Sequence, residues 1–408
     1  GLRIVTERIP SVRSISIGVW VDVGARNESP SENGVTHLIE HMLFKGTKKR
    51  TALELSSEIE NLGGALNAFT SREQTCYLAR VMFEHLDTAV DVLSDLVQHA
   101  TITPGNLAKE KKVICEEIKE SLENPSDNVY DLFAKTYWGN HPLGQPILGS
   151  IQTVTKMPRG GLINYMKRNY KSRSVVIAAS GAISHEKLVK LVSSKFHFVK
   201  GTAEKGPAAK RSKAKTLIMQ SDGVKQTHIC IGLPGVMYSD NRRTQALALA
   251  TYLGGGMSSV LFQRIREQKG LAYSVYTYHD SYRDAGIFGA YLATDSKGAQ
   301  QSISIIFDEC NKLKKKKLPK VKLEQIQAQL KGNLTLGMES TSARMNRLAR
   351  QELVLGEYHS LDDTLKEIEK LRSAEMMELA NQIFDLSKVA VAVKGPAEKR
   401  ALENVLDN

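Results

Sequence analysis

The feature that most limits how this chain can fold is a repeat inside it. Ile15-Ser16-Ile17-Gly18 matches Ile229-Cys230-Ile231-Gly232, and Val175-Val176-Ile177-Ala178-Ala179-Ser180-Gly181 matches Val389-Ala390-Val391-Ala392-Val393-Lys394-Gly395. Both matches carry an offset of 214 residues in a chain of 408. Between them the order strand–helix–strand–helix is kept. Two like-folded domains are the simplest account, and strands grouped with helices give an α+β class, each domain a mainly antiparallel sheet packed with helices. The expected boundaries are 1–199 for the first domain, 200–215 for a basic linker and 216–408 for the second. Hydrophobic residues make up 41% of the chain, enough for two sizeable cores.

Within the first repeat, alternation predicts paired strands over 2–5 and 14–21, with a turn around Pro10. A helix over 52–62 ends at Gly63-Gly64, strands follow over 66–82, and an amphipathic helix covers 83–99. Residues 131–138 and 151–170 read as helical, 174–179 as a buried strand, and 184–196 as a last helix.

The chemistry concentrates in Val35-Thr36-His37-Leu38-Ile39-Glu40-His41-Met42-Leu43-Phe44. Ser31-Glu32-Asn33-Gly34 suits a helix start. His37 and His41 are four apart, so their imidazoles leave one face of that helix and can hold one metal ion. Glu40 lies beside them, and H-x-x-E-H is a zinc-peptidase pattern. A third ligand is available after 75 intervening positions, Glu117, in Glu110-Lys111-Lys112-Val113-Ile114-Cys115-Glu116-Glu117. Glu110 and Glu117 are two turns apart on one helical face. Catalytic zinc takes three protein ligands and keeps one open position. His37, His41 and Glu117 supply the three, with Glu116 and Glu110 the next candidates for the third place. Glu40 is then left as general base and Glu110 as support for a ligand. Asn67-Ala68-Phe69 reads as an edge strand beside the site, able to take an extended peptide by main-chain pairing.

The repeat isolates these residues. At offset 214, His37, Glu40 and His41 fall on Thr251, Gly254 and Gly255, and Glu117 falls on Lys331. The second domain keeps the scaffold without the ligands, so the fold does not require them.

HLIEH followed by VICEE resembles the inverted-motif zinc peptidases of family M16, related to the mitochondrial processing peptidase β subunit and its bacterial single-chain relatives. The resemblance continues in NLGGALNAFTSREQT, HPLGQPILGS, LGGGMSSVLFQRIREQKGLAYSVY and STSARMNRLA, nearly the whole chain. It implies a zinc-dependent endopeptidase with one Zn2+ per chain, cutting peptides or unfolded segments inside a closed chamber. It implies that Arg266 and Tyr273 face the zinc site, the guanidinium on a substrate carbonyl and the phenol on the oxyanion. It also implies that Asp127 and Asp131 hold a basic substrate residue near the scissile bond. Longer relatives place four such domains around a chamber, so this chain is expected to act as a homodimer with the site completed in trans. Non-catalytic core subunits of respiratory complexes share the fold, but their metal motifs are degraded and this one is intact.

Gly254-Gly255-Gly256 lacks the Gly-Lys-Ser/Thr ending of a phosphate loop and is expected to be a flexible loop. The formal charge of +12 sits mainly in 200–215 and 312–322, where no aromatic residues interleave. These are expected to be solvated connectors, with no nucleic-acid partner. No apolar run approaches membrane-spanning length, and no membrane partner is expected. Cys76, Cys115, Cys230 and Cys310 show no CxxC pairing and read as buried thiols of a reducing compartment. The expected location is the bacterial cytoplasm, with the mitochondrial matrix as the alternative if a leader has been removed ahead of Gly1.

Overall fold

The computed structural model describes residues 1–211, 216–220 and 223–407. The chain forms two compact units. The first gathers Gly1–Lys119, Gln145–Pro207 and Gly337–Tyr358; the second gathers Glu120–Gly144, Ala208–Leu336 and His359–Asn408.

The first unit is built on strands β1 (Arg3–Arg8), β2 (Ser14–Val21), β3 (Ala65–Thr70), β4 (Thr75–Met82) and β5 (Val175–Gly181), in the order β1-β5-β2-β4-β3. The second uses β6 (Thr216–Gln220), β7 (Thr227–Pro234), β8 (Ala272–Ser281), β9 (Gly286–Thr294) and β10 (Ala390–Lys394), in the equivalent order β6-β10-β7-β9-β8. In each sheet one pair is parallel, β1 with β5 and β6 with β10, and the rest are antiparallel. The repeat is therefore a repeat of topology.

Its register differs in detail from the sequence match. A Cβ on Gly181 would meet Ser14 O and Ile15 Cα, and one on Gly395 would meet Gln226 O and Thr227 Cα. Strand β7 thus corresponds to β2 two residues short of the offset 214. An even slip leaves every side chain on its own face, so the apolar pattern cannot reveal it.

Both faces of each sheet are buried. Ile15, Ile17, Val19 and Val21 of β2 join the first unit's main core, and Ile229, Ile231 and Leu233 of β7 join the second's. The opposite faces are closed by helices from the other half of the sequence. Met345, Ala349 and Leu353 of the helix Thr341–Val354 lie on Trp20, Cys76, Val176 and Ala178. Val129, Phe133 and Tyr137 of the helix Pro125–Trp138 lie on Cys230, Tyr291, Ala390 and Ala392. Each of the larger apolar side chains among them, such as Met345, Leu353, Val129 and Phe133, contributes roughly 1.5–3 kcal/mol of transfer free energy. A cut at 199 and 216 would part each helix from the sheet it covers. A repeat in sequence records common ancestry of elements, not which sheet a helix packs on.

Some local expectations need correction. The helix over 131–138 begins earlier, at Pro125, where Asn124 caps it by accepting from Ser126 N. The segment 151–170 is two helices, Ile151–Lys156 and Arg159–Asn169, because Pro158 cannot continue the first. Of the basic linker, Glu204 and Pro207 accept hydrogen bonds from Asn27 and Arg26, while 212–215 lie outside the described residues. The second basic run closes one helix at Lys315 and opens another at Lys320, so only 316–319 connect. Cys76, Cys230 and Cys310 are buried free thiols, whereas Cys115 is only half-buried. No described helix is long and apolar enough to cross a membrane.

Candidate metal centre

The motif helix runs Val35–Leu43 and buries Val35, Leu38, Ile39, Met42 and Leu43 in the first core. That leaves one polar stripe, carrying His37, Glu40 and His41. The second element is the helix Pro104–Glu123, anchored through Leu107, Ile114 and Ile118. Together they bring His37, His41 and Glu117 into one group, its ligand atoms within 4.8 Å of one another. His37 Nε2 is 3.8 Å from Glu117 Oε1, and His41 Nε2 is 3.7 Å from Glu117 Oε2.

These residues fit zinc. Four-coordinate zinc with nitrogen and oxygen ligands at about 2.0–2.2 Å sets ligand atoms roughly 3.3–3.5 Å apart. The two histidine–Glu117 distances are within a few tenths of that, and the group as a whole, within 4.8 Å, would draw in slightly around the ion. The donors are also in the right state. Burial, and then the nearby His41, lower the His37 pKa to about 4, so its ring is neutral and offers a lone pair at pH 7. His41 Nδ1 is 3.2 Å from Glu110 Oε2, which fixes the tautomer with Nε2 free to ligate. Glu110 is itself buried and paired to Lys45 Nζ at 2.9 Å.

Glu40 stands apart from the ligand group. Burial raises its pKa, opposed by a hydrogen bond from Thr70 Oγ1 to Glu40 Oε2 at 2.5 Å. A carboxylate lifted toward neutrality beside a metal site is suited to taking and returning a proton. Thr70 ends β3, the strand that holds Asn67, Ala68 and Phe69, and among the described strands β3 has a neighbour on one side only. Its side chains alternate, and Phe69 packs edge-on against Trp20 at 5.4 Å.

Sequence reasoning missed Thr70, which looks like any strand threonine. It also missed Glu28. Gly34, at φ 90°, starts the motif helix without a side-chain cap. A Cβ there would sit 2.7 Å from Leu148 O, so glycine is required. The cap comes instead from Glu28, 2% exposed, which accepts from Gly34 N at 2.8 Å, Thr36 N at 2.9 Å and Asn33 Nδ2 at 3.0 Å. Burial pushes the Glu28 carboxyl up to about 7 despite those donors. A glutamate six residues ahead of a helix start has no signature in local capping rules.

The remaining predicted residues belong to the second unit. Arg266 lies on a π-helical turn, Phe262–Glu267, with its guanidinium 4.7 Å from the Phe262 ring and 4.7 Å from the Tyr273 ring. Tyr273 is 74% exposed at a bulge of β8. Asp127 and Asp131 share the helix Pro125–Trp138, where Asp127 accepts from Asn124 Nδ2 at 2.7 Å. Gly254 and Gly255 close the helix Arg243–Gly254, and a Cβ on Gly254 would lie 2.4 Å from Thr277 N. The expected loop is thus in part a close helix–strand contact.

Comparison with known proteins agrees with this geometry. Residues 3–151 match the family profile described as insulinase (peptidase family M16), and residues 156–330 match the peptidase M16 inactive domain. An uncharacterized zinc protease of Streptomyces coelicolor is 38% identical, covering 100% of this chain and 90% of its own. An uncharacterized zinc protease of Bacillus subtilis is 40% identical, covering 94% of each. Among solved structures, a protease from Helicobacter pylori has the same fold with a TM-score of 0.89, 22% identity and 97% of each chain covered. A chain of complex III2 from Candida albicans also shares it, at a TM-score of 0.88, 18% identity and coverage of 100% and 97%. A full-length likeness to zinc proteases, joined to an intact His37–His41–Glu117 group, means that the chain belongs to peptidase family M16 and is a zinc metalloprotease.

Proposed function

We propose that this protease is an endopeptidase that takes its substrate as an extended segment along the open edge of β3. The observation that carries this reading is the Thr70–Glu40 hydrogen bond, which ties the general base to that edge. Asn67, Ala68 and Phe69 present main-chain groups for pairing, a mode that needs little sequence in the substrate. His37, His41 and Glu117 would hold zinc, which when bound would supply a Lewis acid for the scissile carbonyl and a water of pKa lowered to roughly 7. Glu40 takes the proton of that water and returns it to the leaving amine. Tyr273 donates from its phenol to the oxyanion, and Arg266 binds a substrate carbonyl. The active form is a homodimer enclosing a chamber, the second unit of one subunit serving the zinc unit of the other. Asp127 and Asp131 favour a basic residue near the scissile bond, and the enzyme works in the cytoplasm, or in the mitochondrial matrix if the chain is organellar.

Mixing a Glu40→Gln chain with a Tyr273→Phe chain tests this directly. Each mixed dimer has one site with both groups intact, and random equal mixing makes about half the dimers mixed. Roughly a quarter of wild-type activity should return. Activity staying at the level of the two parents, with subunit exchange demonstrated, would mean that the site is not completed in trans.

A further inference from the structure

The two imidazoles of the metal centre are held in different ways. His41 has a partner of its own, Glu110 at Nδ1, which sets both the tautomer and the ring direction. His37 has none: its Nδ1 is buried and finds no hydrogen-bond partner among the described residues. Its ring direction therefore depends on where the backbone of the first helical turn stands. That turn begins at Gly34, in a left-handed conformation and without a side-chain cap. His37 is the third residue of the helix, inside the turn whose amides have no intrahelical acceptor.

Those amides are taken by Glu28. Its two carboxylate oxygens divide between the ends of the turn, Oε2 on Gly34 N and Oε1 on Thr36 N, the residue just before His37. Asn33 holds the carboxylate from the side and is anchored in turn on Pro146 O at 2.9 Å. Thr36 also donates to the buried Tyr165 hydroxyl at 3.1 Å. We propose that Glu28 is the positioning residue for the zinc ligand His37, fixing through the backbone what Glu110 fixes for His41 through the ring. The proposal rests on His37 being a ligand.

Zinc affinity, measured by competition with a chromophoric chelator on folded protein well below its melting temperature, tests it. Loss of a group that orients a metal ligand weakens binding about 10–100-fold. Glu28→Gln keeps the shape but turns an amide toward one of the two N–H donors, so zinc affinity should fall on that scale, as it should for Glu110→Gln. Glu28→Asp keeps the charge with a shorter reach and should lose less, about threefold or more. kcat at saturating zinc should fall while KM stays, because the substrate edge β3 is untouched. A merely structural Glu28 would lower the melting temperature and leave the zinc affinity of the folded protein unchanged. Glu28→Gln within twofold of wild type would overturn the proposal; if that variant does not fold, an unchanged affinity in Glu28→Asp would do so. His37→Ala is the control for the ligand assignment: retention of wild-type zinc affinity there would sink that assignment and leave the role of Glu28 at the helix start a separate matter.

Discussion

The two units make a natural experiment. Their sheets have equivalent strand orders, parallel pairs in the same place, and cores on the same faces. One helix carries His37, Glu40 and His41; at the 214-residue offset the other helix has Thr251, Gly254 and Gly255. Thr251 merely returns its hydroxyl to Leu247 O, and Lys331, in the place of Glu117, pairs with Glu369 at 2.9 Å. The same scaffold is therefore stable with and without metal ligands. Fold stability comes from the apolar faces, and the polar stripe is open to chemistry.

The largest break between the units should come from Glu40→Gln. Glutamine preserves shape and loses the base, so turnover should fall by about a thousandfold or more while one zinc per chain remains bound. Retention of more than a tenth of wild-type activity would remove Glu40 from that role. His37→Ala, His41→Ala or Glu117→Ala should instead lose the metal and keep the far-ultraviolet circular dichroism of the parent, since the second unit shows that the topology tolerates their absence. Full zinc occupancy in Glu117→Ala would point to Glu116 or Glu110 as the third ligand.

How much of this was legible in the sequence follows from the kind of interaction involved. The strands and their apolar faces were readable because periodicity records burial, and His37, His41, Glu40, Glu117 and Glu110 were readable because helical spacing puts them on one face, whereas the order of strands within each sheet was not. The exchanged packing of the helices Pro125–Trp138 and Thr341–Val354 was not, because amphipathicity shows that a helix has an apolar face without showing which sheet receives it. Thr70 and Glu28 act across 30 and 8 residues respectively, through hydrogen bonds that no local pattern encodes.

Thr70→Val should cost less than loss of the base, about tenfold in kcat, because it frees Glu40 from the substrate edge without removing the carboxylate. Thr70→Ser should restore most of that, and a valine variant as fast as wild type would uncouple the strand from the base. Stability sharpens the contrast between the units further. Gly254→Ala would force a Cβ against Thr277 N, a strain of about 1–3 kcal/mol or more. Glu40→Ala, at the matching offset, should leave stability unchanged or slightly raised, because a half-buried carboxylate placed for function is replaced. Urea unfolding of both variants checks this, and equal destabilisation would mean that the two positions serve the scaffold alike.

A last effect, spread over more than two pH units, is an acid sensitivity that both units should share and only one should lose on binding zinc. His37 in the first unit and His279 in the second are each lowered to about 4 from 6.5, with burial the main cause in both. The second contributor differs: His41 for His37, and Arg243 for His279. A histidine whose folded pKa is depressed contributes stability that is complete above its unfolded pKa and is lost as pH falls through the folded one. The window is therefore pH 6.5 down to about 4. Each ring contributes at most about 3 kcal/mol across it, from 1.36 kcal/mol per pKa unit. Zinc-free protein should become progressively easier to unfold over that range, and His37→Asn and His279→Asn should each flatten part of the slope. Zinc occupies the lone pair that His37 would protonate, so the loaded protein should resist acid as zinc-free His37→Asn does for as long as the metal stays bound. His279 has no metal to protect it: its Nε2 accepts from Val236 N at 3.0 Å. An unfolding slope that neither substitution changes would show that the acid sensitivity arises elsewhere.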